Sequence, residues 1–258
     1  MNRETVLFER RDGVALLTMN RPEKRNAFND RQYDDLRDAL SEARSDEAIK
    51  VAVITGAAGA FSAGQDLGEM SAPPEHDDGR PHGFGPFVDQ LSAFDLPLLA
   101  AVNGVGVGIG LTMLLHCDLV YMSQSARLRA PFVSLGLVPE AGSSFLLQEI
   151  VGPQPAAELL YTTAWIDAER AVALGLAAAA FPDDELLERT IERAAEIAAQ
   201  PRAALRSTKQ LLLDVRADAL TAARRREEPA MARRIGSPAN IEAIRAFREK
   251  RAPDFGGL

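Results

Sequence analysis

The sequence predicts an α/β fold that ends in a helical region, and three observations carry this. Strand and helix periods alternate along the first half of the chain. Two loops made of small residues interrupt that alternation. From Ala141 onward the pattern turns almost wholly helical. "TVLFERRDGVALLTMNRP" reads as two strands around an Asp12-Gly13 turn, with Pro22 closing the second. "FNDRQYDDLRDALSEARSD" places Tyr33, Leu36 and Leu40 at a helical period, capped by Asn29 or Asp30. "KVAVITG" is short and apolar throughout, as a strand buried on both faces must be, and strand-helix-strand at this spacing predicts a crossover unit.

The small-residue loop "AAGAFSAGQDLGEM" follows. "SAPPEHDDGRPHGFGP" reads as a mobile loop, then "FVDQLSAFD" as a helix and "PLLAAVNG" as a strand. "VGVGIGLTMLLH" reads as a buried helix entered by a tight turn, and "CDLVYMS" and "ARLRAP" as strands. Helices are then predicted for "SSFLLQEIVG", "QPAAELLYTT", "DAERAVALGL" (capped by Asp167) and "DDELLERTIERAAEIAAQ" (ended by Pro201), and for most of the remainder. The division expected is a core over 1–190 carrying the site and a helical part over 191–258. The run Arg224 to Glu228 reads as a solvated helix face.

Composition narrows the function. The 258 residues carry a formal net charge of -8, which speaks against a nucleic-acid partner but allows an anionic small ligand held by local cations. One cysteine, Cys117, rules out an internal disulfide framework and suits a reducing compartment. With no apolar signal core and no membrane-length apolar run, the expectation is a cytoplasmic protein with no membrane partner. Cys117 and His116 sit in apolar sequence and read as core, and Trp165 as core or interface. His76 and His82 do not make a metal site, and none is expected.

"NGVGVGIGLTM" does not fit a dinucleotide fingerprint, because Ile109 or Leu111 stands where the third glycine belongs, and no P-loop sequence occurs. Two readings remain open for these glycines: close helix–sheet packing, or approach of a ligand carbonyl to the free N–H groups of a helix start.

Both loops, in order and at their separation, carry a resemblance: "RPEKRNAF", "VAVITGAAGAFSAGQDL" and "PLLAAVNGVGVGIGLTMLLHCDLVYMSQSARLRAPFVSLGLVPEAGSS" resemble the crotonase superfamily of enoyl-CoA hydratases and isomerases over essentially the whole chain. The resemblance implies a crotonase-like spiral of ββα units with a helical C-terminal trimerisation region, and a homotrimer or a dimer of trimers. It implies an acyl-CoA partner, with coenzyme A as part of the thioester substrate and no permanently bound cofactor. The oxyanion hole falls on the backbone N–H groups of Ala63 and Ile109. Lys24, Arg25 and Ala27 match the nucleotide-contacting loop. Ser62, Gly64, Gln65, Asp66, Leu67 and Gly108 surround the hole, with Asp66 fixing its loop. Lys250 matches a C-terminal lysine that reaches CoA, from this or a neighbouring subunit.

The hydratases of the family carry two glutamates where this chain has Thr112 and Phe132, and neither residue can deprotonate water. Glu140, eight residues beyond Phe132, stands where single-carboxylate isomerases carry their acid, and "PFVSLGLVPEAGSS" resembles the Δ3,Δ2-enoyl-CoA isomerases. The expected activity is movement of a double bond from C3 to C2 of an enoyl-CoA in fatty-acid metabolism. Alternatives are a hydratase-like or other enolate reaction on an acyl-CoA, and acyl-CoA binding without turnover. Locally, Glu140 also reads as a helix-start acid favoured by the dipole, worth about 0.3–1 kcal/mol.

Overall fold

The computed structural model describes residues 3–68 and 81–258. The hairpin forms as the Asp12-Gly13 turn requires: β1 (Val6–Arg11) pairs antiparallel with β2 (Val14–Met19). β3 (Val51–Gly56), β4 (Leu98–Val102), β6 (Leu119–Ser123) and β9 (Ala179–Phe181) extend it in parallel, giving a six-stranded sheet of order β1-β2-β3-β4-β6-β9. The short strands β5 (Val105–Val107), β7 (Arg127–Arg129) and β8 (Ile166–Asp167) form a second sheet.

Every residue of β3 and β4 is buried, because the large sheet is covered on both faces. One face packs Leu17, Met19, Ile54 and Ala100 in one core with residues of α1 (Asp30–Ser45) and α2 (Phe84–Ser92). The other face packs Val14, Leu16, Val51, Val53, Leu99 and Ala101 against Leu186, Ala194 and Ala198 of α7 (Leu186–Ala198). The 190/191 division therefore falls inside α7, a helix of the sheet layer. Asn29 caps α1 by accepting the Gln32 N–H, and Asp167 caps α6 (Ala168–Ala173) by accepting the Arg170 N–H.

Three expectations change. "VGV" is strand β5, and only Ile109–Thr112 (α3) and a 3-10 turn over Met113–His116 follow as helix, because the two valines pair with Arg127 and Arg129 of β7. Phe84–Pro86, read as the end of a loop, is the first turn of α2; most of that loop, with His76, lies outside the described residues. β8 and β9 were not expected at all.

α4 (Ser143–Val151) and α5 (Pro153–Thr162) lead from the candidate acid back to β8. α8 (Arg202–Arg234) then runs about 50 Å and buries a stripe of Lys209, Leu213, Leu220, Ala223 and Glu227. Arg224–Glu228 is thus not simply a solvated face: Glu227 is buried. Lys209 is 3% exposed and holds both Asp118 carboxylate oxygens at 2.7 Å, while Asp118 also accepts the Leu98 N–H at the start of β4. Lys209→Met should destabilise the fold by about 1–2 kcal/mol in urea denaturation, because the Asp118 carboxylate loses two charge-assisted bonds but stays open to water. α9 (Pro238–Arg248) docks through Asn240, whose Nδ2 donates to the Leu135 carbonyl, so the C-terminal region of this chain lies over its own cavity. Among the described residues no helix is long and apolar enough to cross a membrane.

Candidate active site

A cavity of about 1150 Å³ lies between the two small-residue loops and the C-terminal helices. Lys24, Arg25, Ala27, Ala63, Gly64, Gln65, Asp66, Leu67, Gly108, Ile109, Phe132 and Glu140, all named from the sequence, line it. Ser62, Thr112 and Lys250 do not. Ser62 is fully buried and works inside its loop: its hydroxyl donates to the Asn26 carbonyl and accepts the Gly64 N–H. Thr112 is fully buried, with a hydroxyl that has no described partner. Lys250 is exposed, just past α9.

The two loops are laced together like sheet. Phe28 pairs with Gln65 and Ser62 with Gly106, both in parallel. This lacing decides which N–H groups are free. The Ala63 N–H is spent on the Arg25 carbonyl at 2.9 Å, which corrects its assignment as an oxyanion donor. Phe28 bonds the Gly64 carbonyl and the Asp66 N–H, so the N–H of Gln65, between them, points the other way and meets no described acceptor. The Ile109 N–H is equally free: Gly108 bonds the Arg129 carbonyl, and the first helical bonds come from Leu111 and Thr112. Gln65 and Ile109 are therefore cavity-lining residues of the two loops with free N–H groups. The Ile109 side chain is 1% exposed and packs in the core. Tyr33 donates its hydroxyl to Gln65 Oε1 at 2.8 Å, tying that side chain to α1. Burial, and next the charge of Glu140, push the Tyr33 phenol well above its ordinary range, so it stays a donor.

Asp66 fixes its loop as expected, accepting the Gly68 N–H at 3.0 Å with Arg21 at 3.4 Å and Lys24 at 3.8 Å. Burial alone would raise its pKa; the Gly68 bond and the two cations outweigh it and lower it.

Glu140 is different. Ala141 (φ 57°) and Gly142 (φ 76°) turn the chain sharply before α4, and Glu140 sits ahead of that turn at the cavity wall. The turn is held from both sides. His116 faces the Ala141 carbonyl through Nε2 at 2.8 Å, and burial lowers its pKa to about 4, so it is a neutral core donor. Glu227 accepts the Gly142 N–H at 2.7 Å and the Ser144 N–H at 2.8 Å, capping α4 from α8. The Glu140 carboxylate accepts no hydrogen bond from a described group. Although half-buried, because it borders the cavity, it is stripped of most water, and this burial together with the charge of Glu227 lifts its pKa from 4.5 to about 8. Asp66 has spent its oxygens on the Gly68 N–H and two cations and Glu227 on two backbone N–H groups, and Asp30 and Glu228 stand exposed at the rim. Among the described residues, Glu140 is the lining acid that is both desolvated and uncommitted.

Glu227→Gln should lower the Glu140 pKa below 8 while leaving it above 4.5, since burial is the larger cause and remains. NMR titration of carboxyl-labelled glutamate reads this directly. The variant should also lose about 1–3 kcal/mol, because one of two buried N–H groups loses its acceptor.

Sequence reading missed Gln65 as a donor, Tyr33, Glu227, and a patch of Arg127, Arg129 and Trp165 on the cavity wall. Trp165 is 44% exposed rather than core, with both guanidinium groups near its ring. Cys117 is half-buried, and burial pushes its thiol up to about 12, which leaves it inert.

The chain is similar along its length to known acyl-CoA proteins. The family model described as enoyl-CoA hydratase/isomerase matches residues 9–257. A 2,3-dehydroadipyl-CoA hydratase of Escherichia coli K12 is 36% identical, covering 98% of each chain. Human enoyl-CoA delta isomerase 2 is 34% identical over 81% of this chain and 54% of its own length. The crystal structure of an enoyl-CoA hydratase/isomerase from Pseudoalteromonas atlantica T6c superposes with a TM-score of 0.93 at 37% identity, over 98% of this chain and all of the other.

Proposed function

The chain belongs to the enoyl-CoA hydratase/isomerase family, and from that premise we propose that it moves the double bond of a 3-enoyl-CoA to C2, in fatty-acid metabolism. One observation carries the reading: among the described residues the cavity holds a single uncommitted, desolvated carboxylate, Glu140, while the positions of the two hydratase glutamates hold a buried threonine and an apolar phenylalanine. Ionised Glu140 takes a proton from C2. The electron pair moves onto the thioester oxygen, where the Gln65 and Ile109 N–H groups stabilise it. The resulting dienolate takes the proton back from Glu140 at C4, and the double bond lies between C2 and C3. No water is consumed and one proton is returned, so one carboxylate suffices. Phe132 and Leu137 on the wall keep water from the intermediate.

Lys24 and Arg25 would meet the nucleotide of coenzyme A, which enters as part of the substrate; no permanently bound cofactor is proposed. Exposed Leu211, Leu212 and Val215 on α8 support assembly as a homotrimer or a dimer of trimers. The compartment proposed is the cytoplasm. Purified protein with a 3-enoyl-CoA should generate the conjugated 2-enoyl ester, followed by its ultraviolet absorbance; no conversion at high enzyme concentration refutes the reading. The hydratase similarity at 36% identity favours a second reading, addition of water to a 2-enoyl-CoA, which loss of the same absorbance would reveal.

A further inference from the structure

The cavity carries a second cationic patch that this chemistry leaves unused. Arg127 and Arg129 flank buried Leu128 along β7, so both side chains emerge on one face of the small sheet, beside Val105 and Val107. Their guanidinium carbons lie 5.1 and 5.5 Å from the centroid of the Trp165 ring. Arg129 is fixed further by donating Nε to the Thr163 carbonyl at 2.7 Å. The Arg127 guanidinium bonds no described group, and among the described residues neither arginine is paired with a carboxylate.

Of the other cations of the cavity, Lys24 faces Asp66, Arg224 faces Asp89 and Arg251 faces Glu242, while Arg25 stands apart in its own loop. In a chain of net charge -8, two uncompensated guanidinium groups on a concave wall hold a local field that attracts an anion. The flat indole holds both by cation–π attraction and leaves the Arg127 fork, and the Arg129 Nη1 not used on Thr163, open to an oxyanion.

The patch is distinct from Arg25. Counting from the Arg25 segment through the 62–65 loop and β5 to β7 gives three strand spacings, about 14 Å, with the free Gln65 and Ile109 donors between. We propose that Arg127, Arg129 and Trp165 form a second anion subsite of the cavity, which binds an oxyanion group of the bound thioester: a phosphate of the carrier, or a carboxylate at the far end of the acyl chain. This rests on the acyl-CoA reading above, but not on the isomerisation.

Binding of saturated thioesters, which the double-bond shift cannot consume, tests it. Titration calorimetry would use butanoyl-CoA, butanoyl-pantetheine (no phosphate) and the CoA monothioester of adipic acid. Arg127→Gln, at an exposed position that should leave the thermal midpoint unchanged, should weaken binding about tenfold where the anion is present, with Arg127→Lys intermediate. If the source is phosphate, both CoA esters weaken and the pantetheine ester does not. If it is the acyl carboxylate, only the adipoyl ester weakens. Equal weakening of all three, or none beyond twofold, overturns the subsite. Failure of wild-type protein to bind any of the three overturns it together with the acyl-CoA reading. Binding without conversion of a 3-enoyl-CoA overturns only the isomerisation.

Discussion

Glu140→Gln should cut turnover of a 3-enoyl-CoA by about 10²–10⁴-fold while the protein still binds a saturated acyl-CoA as tightly as before. The amide fills the same volume, so the cavity keeps its shape, but it can neither accept the C2 proton nor return one at C4. Because Glu140 must be ionised to act, and burial with Glu227 holds its pKa at about 8, wild-type kcat/KM should be low at pH 6 and rise to a plateau above pH 8. Stability runs the opposite way. A carboxyl whose pKa is raised in the folded protein contributes stability that is full below 4.5 and lost as pH rises through about 8. Glutamine does not ionise, so the variant's stability relative to wild type should grow across that window, measured by denaturation at pH 4.5 and pH 9. A variant that retains full turnover removes Glu140 from the mechanism, and a flat pH profile removes the raised pKa from it.

Much of the fold was legible because local chemistry and global packing agree. Asp12-Gly13 specifies its turn, Asn29 its cap, and the all-apolar β3 its two buried faces. β8 and β9 were not legible: strands of two and three residues carry no period, and "AAF" takes its pairing from β6 alone. Within the site, Glu140 stood out through the family resemblance, because Thr112 and Phe132 leave it the acid at the matched catalytic positions; its local sequence fits a helix-start acid equally well. The oxyanion donors were half legible. Ile109 follows from the helix start, but choosing Gln65 over Ala63 depends on which N–H of an extended loop faces outward. That alternation is fixed by the pairing with Phe28, and no residue type marks it. Glu227 was hidden for a related reason. In "RRREE" only the helical phase of α8 decides that one of five charges turns inward to α4, and that phase is set by Leu213, Leu220 and Ala223 in the turns before it.

Gly64→Ala should lower turnover by about 10²–10³-fold, close to the loss of an oxyanion donor, without touching a chemical group. Gly64 has φ of +91°, and a Cβ there would stand 2.8 Å from the Val107 carbonyl oxygen, a backbone atom that cannot rotate away. Either the 62–66 loop or β5 must move. The next residue after Gly64 is Gln65, and Ile109 follows Val107 by two, so either movement separates the two free N–H groups. Gly59→Ala is the matched control: φ is +73°, but nothing lies within 4 Å of its added Cβ, so it incurs only the left-handed strain of about 1–2 kcal/mol. Both variants should unfold at lower urea than wild type, and Gly59→Ala should keep its kcat. If the two lose stability alike and both keep kcat, the pairing of Gln65 and Ile109 is not what stabilises the developing charge. If Gly64→Ala alone loses kcat, with its affinity for saturated thioesters little changed, the hole is assigned to the transition state rather than to substrate binding.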